Sequence, residues 1–116
     1  MLLKSIVKVK AGFLCLAHAL IIAMSRVNRD PMYKSYRNCC IIQLPVQDFL
    51  SASGVNLSNG GWFEELEQFQ NYVSEYKIVV YNRLSSDRVL IGGNSLSNKK
   101  LYLLCDSEHY NVITNF

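Results

Sequence analysis

Leu16, Leu20, Ala23 and Val27 recur at i, i+4, i+7 and i+11 in and just beyond an uncharged run from Ala11 to Met24. That 3.6-residue repeat predicts a helix over residues 14–28. It ends before Asn28-Arg29-Asp30-Pro31, because Pro31 pushes Asp30 away from the helical region. A second helix is expected around 43–53, with Pro45 tolerated near its first turn and Gly54 closing it. Phe63, Leu66, Phe69, Gln70 and Val73 mark a third over 62–74, whose amino-terminal half suits Glu64, Glu65 and Glu67. The pattern then shifts to β-branched and aromatic runs at 77–82, 88–92, 100–105 and 109–115. Residues 1–10 read as an extended lead-in, with Ile6, Val7 and Val9 set between lysines. The short connections suit antiparallel neighbours. Helices lead and strands follow, so residues 1–116 read as a single α+β domain, helices packed on a small, mostly antiparallel sheet.

Composition narrows the function. Half the chain is apolar or aromatic and 18% is charged, a composition that folds. The net charge of +3 is too small to argue for nucleic acid. Lys4, Lys8 and Lys10, then Arg26, Arg29, Lys34 and Arg37, read as solvated faces, since no nucleic-acid module accompanies them. Four cysteines, at 15, 39, 40 and 105, form no CxxC pair, and the two histidines lie far from the Cys39-Cys40 doublet. Neither a zinc site nor a disulfide framework is expected, and reduced thiols in an intracellular compartment follow. No cofactor is called for.

The apolar run is short of the roughly 20 residues that span a bilayer, so no membrane partner is expected. A secretory signal over residues 1–24 is the alternative: Lys4, Lys8 and Lys10 would form its basic end and Ala23-Met24-Ser25 its cleavage site. His18 interrupts that run, and cleavage would leave an odd number of cysteines in an oxidising compartment.

Chemistry concentrates at two places. Cys15 stands at the start of the first predicted helix, where free N–H groups and the helix dipole favour a thiolate and can serve an oxyanion. His109 opens the last predicted strand and can act as general base and acid. Asn111 falls on the same strand face two residues on, placed to orient the imidazole. His18, one turn beyond Cys15, reads as structural or partner-facing. Cys39, Cys40 and Cys105 read as thiols without function, and Asp106 and Glu108 as loop solubilisers.

The surrounding text resembles a known family. "LCLAHALIIA" is similar to the nucleophile helix of the ovarian tumour (OTU) cysteine proteases. "NGGWFEELEQFQNYVSEYKIVVYN" resembles that family's middle block, and "KLYLLCDSEHYNVI" its closing His-Tyr-Asn block. The three blocks occur in order over roughly residues 12–114. A fainter likeness links "AMSRVNRDPMYKSYRN" and its continuation to OTU-like segments of mobile-element or viral polyproteins.

The resemblance implies a papain-like cysteine protease of OTU type, a deubiquitinase or polyprotein-processing protease. It would cleave isopeptide or peptide bonds after the C-terminus of ubiquitin or a ubiquitin-like protein. Cys15 would be the nucleophile, His109 the base, Asn111 the orienter, and Trp62 and Tyr110 walls of the substrate groove unless they are core aromatics. Where the family has Asp-Gly-Asn before the nucleophile, this chain has Gly12, Phe13 and Leu14 as its oxyanion loop. Losing one oxyanion donor costs on the order of 10²–10³ in rate. The alternative is therefore a catalytically weak or inactive OTU-like domain that binds ubiquitin or another protein.

Overall fold

The computed structural model describes residues 5–9, 14–38, 41–58, 63–82, 87–90, 99–106 and 109–115. Among them are helices α1 (Cys15–Val27), α2 (Tyr33–Arg37), α3 (Gln43–Ser53) and α4 (Phe63–Tyr72). The strands are β1 (Ser5–Val7), β2 (Lys77–Asn82), β3 (Asp87–Leu90), β4 (Lys100–Asp106) and β5 (His109–Asn115). The α+β class expected from the sequence is present. The Cys39-Cys40 doublet and Glu108 lie outside the described residues.

The sheet runs in the order β1-β5-β4-β2-β3. β1 with β5, β5 with β4, and β2 with β3 are antiparallel, whereas β2 and β4 are parallel from Lys77↔Lys100 to Asn82↔Cys105. The expectation that short connections give antiparallel neighbours therefore holds for β2–β3 and β4–β5 and fails between β3 and β4. The physical reason lies in the apolar runs. Ile78, Val79 and Val80 of β2, and Leu101, Leu103 and Leu104 of β4, are buried nearly without alternation, as in strands covered on both faces. The two apolar strands pair centrally, and the four-residue β3 takes the edge. The lead-in, expected only to be extended, supplies β1 at the opposite edge.

α1 is the centre of the core. It packs on β4 and β5 on one side and on α2 and α3 on the other. The predicted stripe was thus too narrow: Cys15 through Leu20 are all buried, and Leu16, Leu20 and Ile22 are fully so. A chain cut after Met24 would lose β1 and nearly all of this helix. Phe49 of α3 and Phe69 of α4 stack with ring centroids 5.1 Å apart, tying the outer helices together.

Three local devices fix the element ends. Gly54 closes α3 at φ 73°, in the left-handed region where glycine has no Cβ to strain. α1 closes in a Schellman turn: Asp30 N–H donates to Ser25 O at 2.8 Å and Arg29 N–H to Arg26 O at 3.2 Å. Its left-handed residue is Arg29, at φ 53°, rather than glycine. Gln70 clamps the α4–β2 turn, donating to Tyr76 O at 2.6 Å and accepting from Ile78 N–H at 2.8 Å. Its place in the apolar periodicity of α4 is explained by that buried clamp.

Candidate active site

Cys15 is the first residue of α1 and 3% exposed. Leu14 caps the helix with no side-chain hydrogen bond of its own. Burial pushes the Cys15 thiol above its ordinary value. The N–H groups of Tyr110, Leu16 and Cys15 itself act in the opposite direction, and the Cys105 thiol adds a small upward push. Burial wins, so the resting group is a thiol. The donors are nevertheless those that would stabilise a thiolate once it forms.

β5 brings the second group. Tyr110 and Val112 alternate toward the core beneath α1, and His109 and Asn111 occupy the intervening positions. His109 Nε2 lies 2.7 Å from Val9 O. A carbonyl only accepts, so Nε2 carries the proton and donates it, which leaves Nδ1 of the neutral ring as the basic nitrogen. Asn111 Oδ1 accepts from Val9 N–H at 3.0 Å. Both side chains therefore converge on the two backbone groups of one residue. Asn111 holds Val9, and Val9 holds the imidazole, so the orientation expected from a direct His–Asn bond runs through a backbone carbonyl instead.

The amide aimed at the Cys15 sulfur belongs to Tyr110, the residue next to His109. Cys15 therefore lies against the sheet face that carries Tyr110 and Val112, and His109 is the neighbouring residue along β5, with Asp106 of β4 opposite it in the register. Tyr110 itself is 4% exposed and packs in the core, taking the core reading rather than the groove-wall reading open in the sequence. Its phenol is held well above its usual range by burial and by the two neighbouring thiols, Cys105 and Cys15. Cys105 is the cross-strand partner of Tyr110 and half-buried.

Leu14 lines an open depression of about 400 Å³ with Leu50, Ser51, Gly54, Val55, Asn56, Leu57 and Ser58. Gly12, Phe13 and Trp62 lie outside the described residues. His18 is buried on α1 beyond Cys15; its Nδ1 has no hydrogen-bond partner among the described residues, and burial lowers its pKa. Two contributors were not visible in sequence. Val9 acts through its backbone, which no residue type announces, although its alternation with Lys8 and Lys10 marks a strand. Cys105 gains a neighbour on Cys15 and Tyr110 only through the β4–β5 register.

Among the described residues no cluster of three or more His, Cys, Asp or Glu could hold a metal ion, and no helix is long and apolar enough to cross a membrane. No protein-family model, no curated protein and no solved structure matches the chain.

Proposed function

We propose that the chain is a papain-like thiol hydrolase of OTU type, cleaving the bond after the C-terminus of ubiquitin or a ubiquitin-like protein. The observation that carries this reading is the Tyr110 N–H directed at the Cys15 sulfur, one residue from an imidazole whose Nε2–H is fixed on Val9 O. In this scheme the substrate tail approaches past Leu14. His109 Nδ1 takes the Cys15 proton as the sulfur attacks the scissile carbonyl carbon. The Cys15 N–H is the donor available to the oxyanion, a part the resemblance gives also to Gly12, Phe13 and Leu14. The imidazolium then protonates the leaving amine, and water, deprotonated by His109, hydrolyses the thioester and restores the thiol. An intracellular setting, as a free enzyme or within a polyprotein, suits a free nucleophilic thiol.

A second reading is favoured by one observation: the thiol is buried and shifted toward its protonated form. That environment suits a catalytically quiet domain of the same fold that binds ubiquitin or another protein. A ubiquitin C-terminal electrophile separates the two. Covalent labelling of the native chain, lost in Cys15→Ala and in His109→Ala, supports the hydrolase. Absence of labelling with reversible ubiquitin binding intact would replace it with the binding module.

A further inference from the structure

We propose that the groove at the carboxyl end of α1 binds an acidic segment of a partner protein, at a site separate from Cys15. The groove holds about 740 Å³ and is lined by Ser25, Arg26, Val27, Arg29, Asp30, Pro31, Tyr33 and Lys34. Cys15 begins the 13-residue helix and the groove ends it, so about 20 Å of helix separates them.

The charge of the whole chain resides here. Residues 25–38 carry Arg26, Arg29, Lys34 and Arg37 against the single Asp30, a net of +3 (4 − 1). The rest of the chain carries eight basic and eight acidic residues (12 − 4 and 9 − 1), a net of zero. All four cations are exposed. Arg26 is tethered, donating to Thr114 O at 2.8 Å, and Arg37 lies over the Tyr33 ring. Asp30 is turned onto the backbone, its Oδ1 accepting from Met32 N–H at 2.8 Å. Among the described residues, nothing pairs with Arg29 or Lys34.

Backbone strain supplies a separate argument. Arg29 occupies the left-handed position of the Schellman turn, which glycine fills without strain. The turn thus holds the Arg29 guanidinium on the groove at a cost in backbone strain. The lining also selects the ligand. Val27 and Pro31 give apolar wall between the cations, which suits carboxylates interspersed with an apolar side chain better than a bare ion. Tyr33 and Tyr36 pack against the core and Arg37 covers the Tyr33 ring, so among the described residues the groove offers no bare aromatic platform to stacked bases.

The test is fluorescence anisotropy of a fluorescein-labelled peptide of repeating Glu-Glu-Leu triplets, titrated with the full chain at low salt. Saturable binding should weaken with added salt, and about tenfold with Arg29→Gly combined with Lys34→Ala. Cys15→Ala should bind as the native chain does. Arg29→Gly alone should weaken binding while raising the melting temperature, so lost affinity cannot be put down to unfolding. Should that variant melt lower, Lys34→Ala, at an exposed position, carries the test alone. No saturable binding, unchanged affinity in the double variant, or tighter binding of oligothymidylate than of the peptide would each overturn the proposal.

Discussion

His18 and Cys15 share one end of α1 and one physical condition, a titratable group taken out of water. For His18 the sign follows from the direction of its shift. Burial lowers its pKa from 6.5, so near and below pH 6.5 the unfolded chain takes up a proton that the folded chain resists. The contribution of His18 to stability is complete above pH 6.5 and is lost as pH falls toward the lowered folded-state value. Urea unfolding at pH 7.5 and 5.5 should show a drop in the native chain that His18→Leu reduces. At pH 7.5 the variant should be more stable by about 1 kcal/mol, because it removes a buried nitrogen that has no partner among the described residues. An equal drop in both chains would contradict the assignment. For Cys15 the shift runs upward from 9.0, so iodoacetamide at pH 7.5 should modify it more slowly than free cysteine. Binding of a ubiquitin tail that brings His109 into play would reverse that order for the electrophilic probe alone.

At the scale of elements, the turns hold measurable energy. Gly54 at φ 73° has nothing within 4 Å of where a Cβ would stand, so Gly54→Ala meets backbone strain without a clash and should cost about 1 kcal/mol. Arg29→Gly should gain about the same, since it relieves the same strain at the end of α1. The opposed signs, read from urea midpoints, check that both helices end as described. Gln70→Leu is a harsher change. It removes the acceptor of the Ile78 N–H and a donor to the Tyr76 carbonyl in the core, and should cost about 2–4 kcal/mol. The sequence disclosed these elements unevenly. α1, α3 and α4 were legible because their apolar positions recur at helical spacing and Gly54 punctuates one of them. α2 was not, since Tyr33 to Arg37 is a single short turn with no fully buried residue. The parallel β2–β4 pair was missed because connection length speaks to neighbours in sequence, whereas continuous apolar burial decided which strands became central.

For the molecule as a whole, the places of Cys15 at the head of α1 and of His109 at the head of β5 were legible in the sequence, but not the contacts around them. Val9 joins His109 and Asn111 through its backbone, and that follows only from β1 docking beside β5. The same docking bears on the reading of residues 1–24 as a removable leader. Those residues hold Val7, Val9, Leu16, Leu20 and Ile22, all 6% exposed or less. At about 1.5–3 kcal/mol for each buried side chain, their loss removes roughly 10 kcal/mol, comparable with the 5–15 kcal/mol that holds a domain together. β5 would also lose its edge partner, and α3 the helix it packs on. A chain beginning at Ser25 should therefore lack dispersed amide resonances in a two-dimensional nitrogen–proton spectrum and show no cooperative urea transition. The full chain should show both. A cooperatively folded truncated chain would mean that the core closes without α1, and the helix-centred architecture would have to be abandoned.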